Sequence, residues 1–327
     1  MKRSIILQIL AMTLMMAAIC FASSELVGTS GGSFLKILGN ARPFAMSGAY
    51  IAVADDAGGQ LYNPAGILSA SNAMFSTMYN SHIAGISNSN LSILVPLKNI
   101  GFALSYDRVS YGSIQETTLD DPGGTGSTFD PANYALTASF AGRINSRLSL
   151  GGNIKYIEDQ INGSNASDIG LDAGFMFNAH KNIKFGGTIK NLGNFGNYRL
   201  PANLGIGVAV KYPKVLAAFD VNFPNDNGAY ANIGLEYTVF KGLYLRTGYS
   251  SMQGKQSISA GLGIIMKSAR IDYSYNPVND LGAAHRVSLS FDLFPGSAAG
   301  KLKKDKPKTK TSVKPKNQGK IAPVKNI

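Results

Sequence analysis

Apolar residues recur at every second position from residue 73 to residue 294, and this alternation constrains the fold more than any other feature of the chain. In one clear stretch, Leu204, Ile206, Val208 and Val210 alternate with small residues. A period of two residues is that of a β-strand, because successive side chains point to opposite faces of a sheet. No part of this region has the helical period that an amphipathic helix shows. The pattern therefore predicts an all-β body, in which we count fourteen strands.

The predicted connections alternate between tight turns, such as 98–99 and 241–242, and longer loops, such as 118–129. Bacterial outer-membrane barrels show this alternation, with short periplasmic turns and long extracellular loops. Because lipid offers the backbone no hydrogen-bond partner, a sheet that spans a membrane must also close on itself. The sequence therefore predicts a transmembrane antiparallel β-barrel of about 14 strands over residues 73–294, in the outer membrane of a Gram-negative cell. The even strand number places both termini in the periplasm.

A soluble β-sandwich would show the same alternation. The residues at the other positions of each strand, the polar phase, therefore decide between the two folds. That phase consists of Gly, Ser, Asn and scattered charges, whereas Lys and Glu usually solvate a soluble sheet and protect its edges. Only 15% of the residues are charged, and 37 of the 327 are Gly. No apolar run beyond the N-terminus reaches the ~18 residues that a spanning helix needs. These features favour the barrel, with outer-membrane lipid as the partner of its outer face.

The N-terminal end predicts export from the cytoplasm. Lys2 and Arg3 precede an apolar run over 5–21, which is typical of a signal peptide, and we place this over residues 1–22. An alternative is a lipid anchor at Cys20, the only cysteine of the chain.

The C-terminal end is rich in lysine. Residues 301–327 hold ten Lys and one Asp, so we predict a disordered periplasmic tail over 295–327. The two ends carry most of the net charge of +12, and the body between them is nearly neutral. Nucleic acid is therefore not an expected partner.

Residues 34–72 break the period-two pattern and have short, interrupted helical spacing. Pro43 suits a first helical turn, and Asp55 or Asp56 suits the N-cap of another. Asn63 and Pro64 favour a turn, and Gly66 is a residue that such turns often require. We predict that residues 23–72 form a separate segment ahead of the first strand.

Four blocks within this segment resemble the PorV/PorQ family of outer-membrane proteins and, more distantly, the FadL-like transporters of hydrophobic compounds. They are ARP at 41–43, AMSGAY at 45–50, AVADDA at 52–57 and NPAG at 63–66. Ser47 stands where the family usually has Gly, and Tyr62 stands where it often has Trp. The motif residues are Arg42, Pro43, Gly48, Asp55, Asp56, Asn63, Pro64, Ala65 and Gly66.

The resemblance implies that the segment folds into the barrel lumen as a plug. It also implies a role in protein secretion across the outer membrane, by holding secreted cargo or docking secretion components. The inward phase of the strands supports a plug independently, because it places a wall without side chains on strands eight to twelve. The glycines of this wall are Gly205, Gly207, Gly234, Gly248, Gly261 and Gly263. An alternative reason for these glycines is that they ease strand curvature.

Charged residues of both signs also fall on the inward phase. They are Asp220, Glu236, Arg246, Arg270, Asp272, Arg286 and Asp292. We expect a lumenal salt-bridge network that holds the plug. In this network Arg42 would meet Asp220, Glu236, Asp272 and Asp292, whereas Asp55 and Asp56 would face Arg246, Arg270 and Arg286.

Catalytic, metal and cofactor sites are not expected. The three histidines lack metal-ligand spacing. His285, Ser288 and Asp292 could suggest a hydrolase, but His285 falls on the opposite strand face from the other two.

Two non-enzymatic hypotheses follow: a PorV/PorQ-like protein that assists secretion, and a FadL-like channel for hydrophobic small molecules. The polar, Gly-rich loop 118–129 does not suit an apolar funnel and favours the first hypothesis.

Overall fold

The computed structural model describes residues 27–252, 257–278 and 282–293. The predicted signal peptide at 1–22 and the predicted Lys-rich tail at 295–327 lie outside the described residues.

The predicted fold is confirmed: fourteen strands form a closed antiparallel barrel. Each strand pairs with its neighbours in chain order, and the first strand pairs with the last over eight residues, from Met74 opposite Asp292 to Ser81 opposite His285. The strands are β1 Met74–Ser81, β2 Ser87–Pro96, β3 Ile100–Ser110, β4 Ala132–Arg143, β5 Leu148–Ile161, β6 Ser164–His180, β7 Ile183–Leu192, β8 Asn203–Lys211, β9 Val215–Pro224, β10 Tyr230–Phe240, β11 Leu243–Ser250, β12 Ser257–Met266, β13 Ala269–Pro277 and β14 Ala283–Asp292.

The two faces of the barrel wall differ as the alternation requires. Apolar side chains on the outer face are exposed, with Leu204 at 49% and Ile206 at 51%, whereas polar residues such as Ser288 are buried on the inner face. An apolar exterior that surrounds the whole molecule is unfavourable in water and favourable in lipid. The exterior is therefore that of an outer-membrane barrel. Among the described residues, no helix is long and apolar enough to cross a bilayer.

Strand edges near the long loops depart from the sequence expectation. The alternation predicted a third strand over 100–117, but β3 ends at Ser110. Gly112 then turns the chain with a φ of 75°, and Ile114–Gln115 pairs with Thr128–Phe129 as a separate hairpin. The alternation continues through this hairpin, so the pattern alone could not place the end of the strand.

A bulge between β6 and β7 alters the inner wall. Lys190 and Asn191 together lie opposite the single residue Asp172, and the Asn191 amide donates to the Asp172 carboxylate at 2.7 Å. A bulge adds one residue to a strand and changes where the neighbouring side chains point. Asn191 lines the interior as a result, beside Lys190, which is inward by the regular alternation of β7.

The segment before β1 lies inside the barrel and crosses it. It contains 3-10 helices at Ser33–Ile37, Gly59–Leu61 and Pro64–Ser69, and one α-helix, α1, at Ala41–Ala45. Helix α1 packs against β11 to β14, whereas Pro64–Ser69 packs against β2 to β6 on the other side of the lumen. The segment therefore connects opposite walls.

Cysteine labelling tests the predicted orientation. We expect a membrane-impermeant maleimide to label Gly123→Cys on intact cells, because Gly123 lies in a long loop with open space where its side chain would be. Lys241→Cys, in a tight turn, should react only after the outer membrane is permeabilised. Labelling of intact cells at position 241 but not at 123 would reverse the orientation.

Candidate functional site

The inner wall of β8 to β12 lets the segment approach very closely. A Cβ atom built on Gly234 would lie 2.8 Å from the Met46 Cβ, and one on Gly205 would lie 2.5 Å from the Ile51 Cδ1. At Gly248 a Cβ would meet the Met46 backbone. Any larger residue at these positions would displace the segment, which explains the glycines better than strand curvature does.

The other wall glycines differ in what they face. Gly261 lies against Ala45, and Gly207 lies between Ile51 and the Asp220 side chain. Gly263 instead makes room for the Arg246 guanidinium. On the opposite wall, Gly151 and Gly174 lie against the turn at 63–65. These two were overlooked in the sequence, although they lie in the same inward phase.

Arg42 is the main ionic link between the segment and the wall. Its side chain donates to Glu236 of β10 at 2.8 Å and to Asp55 and Asp56 of the segment at 2.6 and 3.2 Å. It also donates to the Tyr50 hydroxyl at 2.6 Å, and only 5% of Arg42 is exposed. Burial alone would raise the pKa of Asp55, but the Arg42 guanidinium more than offsets this and holds the pKa below its ordinary value.

The ionic chain continues along the wall. Arg246 of β11 donates to Glu236 and to Asp272 of β13, both at 2.7 Å. Arg270 of β13 lies 3.9 Å from Asp56. Buried charges are costly unless each one is paired, so this network constrains where Arg42 can lie.

Several of the expected ion pairs are wrong. Arg42 meets Glu236 but not Asp220, Asp272 or Asp292. Asp220 instead accepts the backbone N–H groups of Tyr50 and Ile51, at 2.7 and 2.9 Å. Asp292, at the short-turn end, accepts from Asn72 at 2.9 Å. Asp220 and Asp292 therefore meet parts of the segment other than Arg42, because they lie at other depths in the barrel.

The expected partners of Asp55 and Asp56 are also partly wrong. Of the three arginines, Arg270 approaches Asp56, whereas Arg246 pairs with wall carboxylates. Arg286 donates to the carbonyls of Ile37 and Gly39, each at 3.0 Å, and lies over the Phe44 ring. Arg286 therefore holds the backbone before α1.

The motif residues form tight turns. Gly48 follows α1 with a φ of 80°, and the preceding Ser47 has a φ of 51°, a conformation that suits the Gly usual in the family. Ser47 compensates through a 2.7 Å hydrogen bond between its hydroxyl and that of Ser259 on β12. Pro43 lies within α1.

Asn63 starts the second turn. Its Oδ1 accepts from the Ala65 amide at 3.1 Å, and its Nδ2 donates to the carbonyls of Ile51 and Phe175, each at 2.9 Å. Pro64 begins the 3-10 helix that follows. Gly66 does not have the unusual φ that the sequence suggested, and it is required because a Cβ would collide with Ala54.

One cavity borders the segment, and a second lies at the short turns of β8 to β11. The first, the loop-end cavity, lies towards the long loops and has a volume of 160 Å³. Much of its apolar lining comes from the segment, from Leu35, Leu38, Phe44, Ile51, Leu61 and Tyr62, and the remainder includes Pro201, Pro224, Tyr230 and Met252. The second, the turn-end cavity, has a volume of 600 Å³ and is lined by wall and turn residues, among them Leu216, Glu236, Thr238 and Tyr244.

Further charged residues of the interior were overlooked in the sequence. Lys155 lies 2.8 Å from Asp172 and donates to the Asn191 Oδ1 at 2.7 Å. Lys190 lines the loop-end cavity beside them. The inward phase of β5, β6 and β7 would have identified Lys155, Asp172 and Lys190, because each continues the alternation of its strand.

No catalytic constellation forms among His285, Ser288 and Asp292. His285 bonds to the Tyr273 hydroxyl at 2.9 Å on the exposed face, whereas the Ser288 hydroxyl accepts the Ala41 amide at 2.7 Å inside the barrel. In the part of the chain that the structure describes, no three His, Cys, Asp or Glu side chains converge to hold a metal ion.

Comparisons with known proteins extend this description. No protein-family model and no curated protein sequence matches the chain. The CymD monoaromatic hydrocarbon channel superposes with a TM-score of 0.61 at 12% identity, over 78% of this chain and 98% of CymD. The Pseudomonas putida toluene transporter TodX superposes with a TM-score of 0.57 at 13% identity, over 82% of this chain and 98% of TodX. A FadL homologue of Pseudomonas aeruginosa superposes with a TM-score of 0.53 at 11% identity, over 78% of this chain and 98% of the homologue.

The chain has the fold of the FadL-type channels. At such identities the likeness concerns the fold, in which a fourteen-stranded barrel spans the outer membrane. Of these solved structures, CymD is a channel and TodX is a transporter.

Loss of the Arg42 ion pairs should loosen the segment. Arg42→Ala leaves Glu236 without one of its buried partners, a change that typically costs about 3–5 kcal/mol. We expect higher single-channel conductance in planar bilayers, and the same for Asp55→Ala combined with Asp56→Ala. Arg108→Ala, on the exposed outer face, is the matched control.

Heat-modifiable gel migration would check that each variant barrel is folded. Unchanged conductance in both folded segment variants would contradict the role given to Arg42.

Proposed function

We propose that the protein is an outer-membrane channel for small hydrophobic molecules, in which residues 23–72 act as a movable plug. The loop-end cavity, with apolar side chains of the segment on one side, is the observation that carries this proposal. A cavity of about 150 Å³ is known to hold benzene, and the 160 Å³ here is of that size. CymD is a monoaromatic hydrocarbon channel and TodX a toluene transporter, which supports the same class of substrate.

The two cavities define a route through the barrel. Both border strands β8 to β10, since Asn203 and Asn222 line the loop-end cavity and Lys211 and Leu216 line the turn-end cavity. Between them the stretch 46–51 lies against the glycine wall. Movement of this stretch away from the wall would join the cavities.

The route has a direction if the predicted topology holds. The long loops would then face the outside of the cell and the short turns the periplasm. A substrate would enter the loop-end cavity first and leave through the turn-end cavity.

The secretion role implied by the PorV/PorQ resemblance stays a prediction. Its main support over a channel was the polar character of the loop 118–129. Much of the apolar lining of the loop-end cavity comes from the segment and none of it from this loop, so a polar loop does not argue against a channel.

A reversible disulfide tests whether the segment must move. The hydroxyls of Ser47 and Ser259 lie 2.7 Å apart, so Ser47→Cys with Ser259→Cys can be oxidised to lock the segment to β12. We expect uptake of radiolabelled toluene by cells to fall, after oxidation, to that of cells without the protein. A reductant should restore it.

The matched control joins two strands and leaves the segment free. Ser92 of β2 and Ser105 of β3 are directly opposed on the inner wall, and neither hydroxyl bonds to the described part of the segment, so Ser92→Cys with Ser105→Cys should not affect uptake. Undiminished uptake through the locked segment would exclude the plug as the gate. If the reduced protein gives no uptake above that of cells lacking it, the channel proposal is wrong.

A further inference from the structure

The loop-end cavity has a polar side as well as an apolar one. Lys190 of β7 and Asn203 of β8 are directly opposed in the strand register, and both line the cavity. Lys190 reaches this wall by the regular alternation of β7, in phase with the buried Thr188. The pair lies across from the apolar side chains that the segment contributes.

Asn203 presents a hydrogen-bond acceptor that no described residue satisfies. Its Nδ2 donates to the Asn222 Oδ1 at 2.8 Å, and the residue is 8% exposed, yet its own Oδ1 has no partner. Asn276 is similar, because its Nδ2 donates to the Phe44 carbonyl at 2.9 Å and its Oδ1 is unpartnered. Buried acceptors without donors are unusual and costly, so a ligand that donates a hydrogen bond is favoured on this side of the cavity.

Lys190 supplies the complementary group. Its ammonium lies 5.4 Å from the centre of the Tyr62 ring and, among the described residues, forms neither a hydrogen bond nor an ion pair. The nearby Lys155 differs, since Asp172 and Asn191 engage it fully. An ammonium donates hydrogen bonds and accepts none, so Lys190 requires an acceptor.

We propose that Lys190 and Asn203 bind the hydroxyl group of a single-ring phenol. This inference rests on the proposed function and narrows its substrate class. The phenol O–H donates to the Asn203 Oδ1, and the phenol oxygen accepts from the Lys190 ammonium. The ring then lies on the apolar side, against Tyr62 and Ile51.

Other ligand classes satisfy the pair less well. A plain hydrocarbon leaves both Lys190 and Asn203 without a partner. A carboxylate satisfies Lys190 but places an acceptor oxygen against the acceptor Oδ1 of Asn203 and of Asn276. A hydroxyl is both donor and acceptor, and it alone of the three meets both requirements.

Three matched ligands test the inference by titration calorimetry of the full-length protein in detergent, with empty micelles as the reference. They are p-cresol, toluene and p-toluate, which share the ring and the methyl group. We expect p-cresol to bind about tenfold or more tightly than toluene, because two hydrogen bonds form only with p-cresol. p-Toluate should bind more weakly than p-cresol.

Two variants locate the effect. Asn203→Leu and Lys190→Met should each abolish the preference for p-cresol over toluene. Asn80→Leu is the matched control, because Asn80 is a fully buried inward asparagine of β1 outside the cavity lining. It should keep the preference for p-cresol. Heat-modifiable migration would show that each variant is folded.

The outcomes separate this inference from the proposed function. Equal binding of p-cresol and toluene by the unchanged protein would overturn the hydroxyl site and leave the hydrocarbon channel intact. Tightest binding of p-toluate would assign a carboxylate to Lys190 and also overturn it. Binding of none of the three would count against the hydroxyl site and the channel together.

Discussion

The closed ladder of backbone hydrogen bonds is the constraint on which the rest of the structure depends. In lipid an unpaired N–H or C=O has no solvent partner, so β1 must meet β14 and every strand must hold a regular pleat. A regular pleat sends alternate side chains into the lumen. The interior is consequently polar, so its charges have to be paired and its space has to be filled by another part of the chain. The segment before β1 meets both needs, because it brings Arg42 to Glu236 and covers the glycine wall.

The segment is held in two different ways along its length. Around Arg42, charge-assisted hydrogen bonds hold it at defined points, and each of them depends on its partner being present. Along 46–51 the contact with the wall is mainly with backbone and glycine, and its hydrogen bonds to wall side chains are those of the Tyr50 and Ile51 amides to Asp220 and of the Ser47 hydroxyl to Ser259. A surface without side chains resists sliding less than an interdigitated one. The stretch between the cavities is therefore the part of the segment best suited to move.

Much of the fold could be predicted from period-two alternation, because the pleat imposes that period directly. The glycine wall could be predicted for the same reason. The pairing of the charged residues could not be predicted. Alternation shows that Asp220 and Glu236 both point inward, but it does not show that Asp220 meets the amides of Tyr50 and Ile51 whereas Glu236 meets Arg42. The inward direction of Asn191 depends on a one-residue bulge, which shifts the phase locally. The loop 118–129 could not decide between the two hypotheses, because nothing in the alternation showed that the segment supplies much of the apolar lining.

The position of Arg42 in the chain also sets an order of assembly. Asp55 and Asp56 are 13 and 14 residues from Arg42, whereas Glu236 is 194 residues away. Closing a short loop costs less conformational entropy than closing a long one. Arg42 can therefore pair with the carboxylates of its own segment before the barrel has closed. Its bond to Glu236 requires that the sheet has brought β10 beside the segment, so the local pairs come first and the wall contact follows.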